Sequence, residues 1–548
     1  MVAPRKLLPI AALWISSLAP LPGQSVEPDY DVVLRHGEII DGTGNPAIHA
    51  DLAIKEHRIA AIGKIPGKGK QEFDATGLVI SPGFIDVHTH AEDVDDQPLA
   101  ENFLRMGVTS LMLGNCGSSA LNIGDFFSRL EELTISPNVG TLVGHGTVRR
   151  RAMHGSFDRP PTEQEMTEMK GLVRQGMEQG AFGLSTGLIY LPSVFAKTEE
   201  IIELAKVASE FDGLYATHQR SESNDIFRSL DEIFRIAREG HLRAEISHLK
   251  LSGPANWGKA AEVIAAIEKA RAEGLDITQD QYAYTASSTG LSQLIPESAR
   301  EGGKEKFLER MNVAETKAGV VEEMRKSLQK RQSPDYSYAV IAGYKPDSSY
   351  NGLNVVEAAA KMRGSNSVDD QIETILEIEK NGGASAVFHG MSEEDLEVFM
   401  KHPNTMFASD SGVRRFQVDV PHPRGYGNAA RVLGEYVREK KVLRLEDAIR
   451  RMTSLPARTF RIKDRGEIRE GAWADLAVFA PEQVSDPSTY KDPHHYATGM
   501  KYVFVNGTLV VENDQHNGAR PGMILRHESG LPHPTKDTPP PSAAGGAE

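Results

Sequence analysis

Cysteine is almost absent: Cys116 is the single thiol in 548 residues. An internal disulfide framework is therefore excluded, and this thiol is either a small buried apolar group or a chemical one. Positive charge is also in deficit. The chain carries 61 Lys and Arg against 76 Asp and Glu, and its formal net charge of −15 argues against a nucleic-acid or anionic-membrane surface. No glycine fingerprint opens a helix after the first parallel strand, so a dinucleotide fold is unsupported. Long hydrophobic runs are missing with one exception, residues 7–21, which follow Arg5 and Lys6 and give way to polar text at Gln24. That is the layout of a secretory signal over residues 1–25, too short and too Pro-broken for a membrane span. It predicts an exported protein, periplasmic or secreted, with no stable membrane insertion once the signal is removed.

What is present is an ordinary globular composition, 40% hydrophobic and 25% charged, in a chain long enough for one large domain and a smaller one. Residues 28–82 alternate short Val- and Ile-rich runs with Gly, Asp and Asn, which predicts the N-terminal part of a small β domain. Then comes Ser81-Pro-Gly-Phe-Ile-Asp-Val-His-Thr-His90, a turn that launches a short apolar strand ending on two histidines. Residues i and i+2 of an extended strand share a face at about 3.3 Å per residue, so His88 and His90 can reach one metal ion.

From there, apolar runs beginning at Phe84, Gly107, Asn138, Ala181, Gly213, Arg243, Leu275 and Thr405 alternate with helical text. Thr162-Glu-Gln-Glu165 is a capping box, Thr198 reads as another helix cap, and Gly213, Gly240 and Gly274 close helices. Eight such units predict a (β/α)8 TIM-type barrel over residues 83–465 rather than a doubly wound sheet. The rhythm breaks over about residues 294–402, an insertion expected on the active-site face, where it can act as a lid. β text returns over residues 466–526 with an Asn506-Gly507 hairpin turn, and is expected to join the N-terminal strands in one composite β-sandwich domain. Residues 527–548 read as a disordered tail.

The polar residues at the ends of the proposed strands sort together. His88 and His90 end the first, Cys116 follows the second, His218 ends the fifth, His248 the sixth and Asp410 the eighth. Taken singly, a strand-end His is more often a hydrogen-bonded structural residue, and a lone Cys a buried hydrophobe. Taken jointly they sit where barrel enzymes build active sites, and Cys-His-His matches a catalytic zinc centre with one position left open.

On these residues the chain resembles the D-aminoacylase (N-acyl-D-amino-acid deacylase) family of the metal-dependent amidohydrolase superfamily, over about residues 31–526. The markers are Gly83-Phe-Ile-Asp-Val-His-Thr-His90, Gly114-Asn-Cys-Gly117, Thr217-His-Gln-Arg220, Ile246-Ser-His-Leu-Lys250, Ser409-Asp-Ser411 and His422-Pro-Arg-Gly-Tyr-Gly427. The resemblance implies a tight Zn2+ on Cys116, His218 and His248, and a second, weaker position on His88 and His90 with Cys116 bridging. It implies Asp410 as general base and acid for zinc-dependent hydrolysis of N-acyl-D-amino acids, with dipeptides ending in a D-residue as further substrates. It also points to Lys250, Tyr282, Ser288 and Arg424 as binding the substrate carboxylate, with Tyr284 and Ser287 as alternatives of register. Arg414 and Arg415 depart from the family's pattern and are expected to reshape the pocket towards acidic side chains. A cyclic amidase of the hydantoinase or dihydroorotase kind shares His-x-His, but that kind uses a carboxylated lysine where this chain has Cys116. A barrel without catalysis, serving as a structural or interaction protein, is the alternative outside enzymes.

Overall fold

The computed structural model describes Met1, residues 29–155 and residues 157–528. The signal at residues 1–25, apart from Met1, and nearly all of the tail at 527–548 lie outside the described residues. His527, at the start of that tail, is buried with Nε2 3.0 Å from Phe211 O.

Every apolar run of the parallel text forms a strand of one barrel. In order they are Phe84–Asp86, Val108–Leu113, Asn138–Thr141 continued by Val143–Gly144, Gly183–Gly187, Leu214–His218, Arg243–Ile246, Ile277–Gln281 and Thr405–Phe407. Neighbours pair in parallel, and the third strand changes partner at Leu142: its first half pairs with the second strand and its second half with the fourth. A parallel Thr89–Ser411 bridge closes the barrel between the eighth strand's end and the first. Asp86 reinforces that seam by accepting hydrogen bonds from the amides of His88 and Ser409, each at 3.1 Å. The strands are buried on both faces, by helices outside and by opposing side chains within, even where their text is polar, as in Ile277–Gln281 and Gly183–Gly187.

Helix punctuation is observed in part. Thr162 and Glu165 form the reciprocal capping box at the start of Glu163–Glu178. Thr198 does not cap: Lys197 occupies the N-cap position, and Thr198 Oγ1 donates instead to Glu232 at 2.8 Å. A partner on the next helix outcompetes the local cap.

The flanking β domain is one nine-stranded sheet made from both ends of the described chain. Val79–Pro82 is the join, pairing parallel with Tyr30–Ile39 and antiparallel with Leu476–Phe479. The sheet folds over a shared core of Leu34, Leu52, Ile54, Val478 and Phe504, with the Phe73 ring 4.8 Å from that of Tyr502. At the predicted hairpin, Asn506 and Gly507 both take positive φ, 49° and 77°, the requirement of a two-residue primed turn.

The inserted segment is a subdomain with its own core. Ala286–Gly290 pairs antiparallel with Ser385–His389, which pairs with Ala339–Gly343, and helices including Ala314–Arg331 and Val368–Lys380 pack beside them. It therefore begins before residue 294 and ends at His389, because Glu393–Lys401 packs on the barrel helix Ala260–Ala272.

One glycine decides how the second strand ends. Gly114 has φ +77°, and a Cβ there would meet Leu142 O at 2.3 Å, so only glycine lets the chain turn beneath the third strand and present Cys116. Gly114→Ala is expected to lower stability by about 2–4 kcal/mol through strain and the clash, read as a fall in Tm by calorimetry.

Candidate active site and metal centre

The strand ends bring six predicted residues to one place. Cys116 Sγ lies 3.3 Å from His88 Nε2, 3.7 Å from His248 Nε2 and 3.9 Å from His218 Nδ1. His90 Nε2 lies 3.3 Å from Asp410 Oδ1, and His88 Nε2 lies 3.6 Å from the same oxygen. Three donor sets emerge, each with its ligand atoms within 4.8 Å of one another: His88, His90 and Cys116; Cys116, His218 and His248; and His88, His248 and Asp410. Apart from the partly open His90, these side chains are buried.

The backbone is strained where the chemistry sits. Cys116, His248 and Asp410 have φ of 52°, 37° and 51°, the left-handed region that costs non-glycine residues on the order of 1–3 kcal/mol. Each side chain is thereby turned off its strand and into the barrel mouth.

Outer carboxylates orient the rings. His88 Nδ1 faces Asp280 Oδ2 at 3.1 Å, and His248 Nδ1 faces Glu222 Oε1 at 2.8 Å, which leaves Nε2 of each ring aimed at the cluster. Neither acid was singled out in the sequence. Asp280 stands near the end of the seventh strand, so the strand-end rule that found Asp410 would have found it. Glu222 lies in a loop four residues after His218 and carries no such signal. Glu222→Gln is expected to weaken metal affinity about 10–100-fold while leaving the fold intact, measured by competition with a chromogenic chelator.

The electrostatics favour a cation at the centre. Burial pushes the Cys116 thiol up, but the imidazoles of His88, His218 and His248 outweigh it and hold the thiol well below its usual range. Burial opposes charge on His90, yet Asp410 and Cys116 beside it raise its pKa to about 10. Burial also raises Asp410, and Arg424 with His88 and His90 more than reverses this, keeping the carboxylate ionised. A thiolate, two imidazoles and an adjacent carboxylate within one buried cluster suit zinc, which takes N and S ligands and leaves a position open in catalytic sites.

The site faces a cavity of about 590 Å³ lined by His218, His248, Lys250, Ser287, Ser288 and Asp410 on its inner side. Lys250 Nζ is 2.8 Å from His248 Nδ1 and contacts Glu222. Arg424 and Tyr282 sit behind that wall. Arg424 Nη1 lies 2.8 Å from Asp410 Oδ2, its Nη2 donates to Ser288 O at 3.4 Å, and its guanidinium stacks 4.5 Å over Tyr282. His422 holds it in place by accepting from the Arg424 amide at 3.0 Å while its Nε2 lies 2.8 Å from Ala286 O. Tyr284, the alternative in register, donates its hydroxyl to Asp486 at 2.6 Å and is spent there. Neither Arg414 nor Arg415 lines the cavity: Arg414 donates to Ser411 Oγ at 3.0 Å, and exposed Arg415 lies 3.7 Å from Asp96.

Fold and site together define a metal-dependent hydrolase built on a (β/α)8 barrel. The chain belongs to the amidohydrolase family, whose pattern matches residues 71–511. It is 32% identical over 525 residues to N-acyl-D-glutamate deacylase of Alcaligenes xylosoxydans xylosoxydans, covering 91% of this chain and 97% of that one. It is 32% identical over 531 residues to D-aminoacylase of the same organism, covering 92% and 99%. Among solved structures, N-acyl-D-glutamate deacylase from Bordetella bronchiseptica, complexed with zinc and a phosphonate mimic of the tetrahedral intermediate, matches with a TM-score of 0.77 at 32% identity, covering 91% and 99%.

Proposed function

We propose that this enzyme hydrolyses the amide bond of N-acyl-D-amino acids, releasing a carboxylic acid and a free D-amino acid. The observation that carries the reading is Asp410 beside the Cys116, His218 and His248 donor set, open to a cavity whose inner wall holds Lys250 and Ser288. Cys116, His218 and His248 would hold zinc, and His88 and His90 would offer a weaker second position. When bound, zinc supplies a Lewis acid for the amide carbonyl and lowers the pKa of water towards about 7.

The chain's own residues do the rest. Asp410, kept ionised by Arg424, takes a proton from the attacking water at Oδ1 and delivers it to the leaving nitrogen, so that water adds across the C–N bond as it breaks. Lys250, with Ser288 and the Arg424 guanidinium behind it, forms the cationic side that receives the substrate carboxylate. Glu222 and Asp280 fix the imidazoles, and the apolar barrel core below excludes bulk water. The D-preference rests on the relatives, and dipeptides with a C-terminal D-residue fit the same chemistry. The export reading rests on residues 1–25 alone, which suit an enzyme working outside the cytoplasm.

The test is kcat/KM for N-acetyl-D- and L-leucine, methionine and glutamate with the zinc-loaded enzyme. Hydrolysis of the D series at least about 100-fold above the L series is expected; hydrolysis of the L series alone, or of neither with zinc bound, would remove this reading.

A further inference from the structure

The cavity that exposes Asp410 continues outward past Lys250 to a wall supplied by the inserted subdomain, where Leu294, Glu297, Arg300, Arg331 and Tyr338 line it. Sorting the charges of the whole cavity leaves two arginines of the inserted subdomain, Arg300 and Arg331, without an ion pair among the described residues. Arg220 pairs with Glu232 at 2.9 Å, Lys250 with Glu222 at 2.5 Å, and Asp410 with Arg424 at 2.8 Å. Arg300 spends its Nε on Ile295 O at 2.9 Å and sits in the field of Glu297, on the same short helix Glu297–Arg300, and of Glu379. Arg331 remains, the last residue of helix Ala314–Arg331, with no carboxylate among the described residues in ion-pair contact.

Its donors are as underused as its charge. Nη1 donates to Ser252 Oγ at 3.3 Å and the guanidinium lies 4.0 Å over the Tyr338 ring, but Nε and Nη2 have no hydrogen-bond partner. The seat is nevertheless shaped for it. A Cβ on Gly390 would meet Nη2 at 2.2 Å and one on Gly253 would meet Nη1 at 3.3 Å, so both glycines make room for the guanidinium. The same two residues tie the loop after the sixth strand to the segment leaving the inserted subdomain, through the Gly253 amide and Gly390 O at 2.8 Å. A desolvated cation that lines a substrate cavity with two buried donors unmet is costly unless an anion approaches it.

Resting on the proposed deacylase reading, we infer that Arg331 recognises a second anionic group of the substrate, a carboxylate distal to the one held near Lys250. The group is carried on the D-amino-acid side chain or on the acyl group. Recognition of an acidic tail thus falls to Arg331 on the inserted subdomain, not to Arg414 or Arg415.

The experiment compares the zinc-loaded enzyme with Arg331→Met and Arg331→Lys, on N-acetyl-D-glutamate, N-succinyl-D-leucine and N-acetyl-D-leucine. The ratio of kcat/KM for a dianionic substrate to that for N-acetyl-D-leucine is expected to fall about 30-fold in Arg331→Met, chiefly through KM, and to recover in part in Arg331→Lys. Whether N-acetyl-D-glutamate or N-succinyl-D-leucine suffers the loss identifies which end of the substrate meets Arg331. Ratios unchanged for both, with N-acetyl-D-leucine still hydrolysed, would overturn the inference and leave the deacylase reading standing. Calorimetric binding of glutarate to wild type and Arg331→Met needs no turnover: weaker binding to the variant supports the inference, and equal affinity overturns it even if no D-substrate is hydrolysed.

Discussion

Asp410→Asn is expected to lower kcat by about 10³-fold while zinc content stays at the wild-type level. The substitution removes the proton-accepting oxygen and little else. Asp410 has φ 51°, and Asn is among the residues that tolerate this left-handed backbone, so the local turn survives where most other replacements would add strain. The amide oxygen can still accept from Arg424, but no proton can be taken from water at the position facing His88 and His90. Steady-state kinetics with metal analysis on the same preparation reads both halves. A kcat within tenfold of wild type would show that another group carries the proton.

Cys116→Ala is expected to fail at the other half, losing the metal and activity together. Zinc sites with four ligands bind with about 10–16 kcal/mol, so one ligand is worth about 3 kcal/mol, on the order of 10²-fold in affinity. The thiolate is worth more than that average here, because it touches all three of His88, His218 and His248. The expected result is an affinity loss of at least about 10³-fold and no measurable turnover at micromolar zinc. Retention of zinc after dialysis would move the tight site to the His88, His248 and Asp410 donor set. Asp410→Asn and Cys116→Ala therefore separate proton transfer from metal holding, and their different metal contents are the signature.

The barrel was legible because apolar runs alternate with helical text, and because five of the eight strands end on or just before a residue with chemistry. That is why His88, Cys116, His218, His248 and Asp410 stood out from linear text although residues as far apart as 88 and 410 meet only in the fold. Legibility failed where tertiary partners decide. Thr198 looks like a cap and is claimed by Glu232 on the next helix. Arg414 and Arg415 follow Asp410 in sequence, but neither lines the cavity: Arg414 turns back on Ser411 and Arg415 lies beside Asp96. Glu222 and Arg331 matter through what surrounds them, an imidazole edge in one case and an absence of counter-charge in the other, and neither is written in a local pattern. The insertion was visible as a broken rhythm, while its antiparallel pairing of Ala286–Gly290 with Ser385–His389 joins segments about a hundred residues apart and had no local signal.

The central claim is that a sulfur and two imidazoles of this chain hold the catalytic zinc. X-ray absorption at the zinc edge, on enzyme loaded with one equivalent, tests it most directly. One sulfur at about 2.3 Å with nitrogen at about 2.0 Å is the predicted first shell, and the sulfur should vanish in Cys116→Ala. A shell of nitrogen and oxygen alone in the wild-type enzyme would contradict the account.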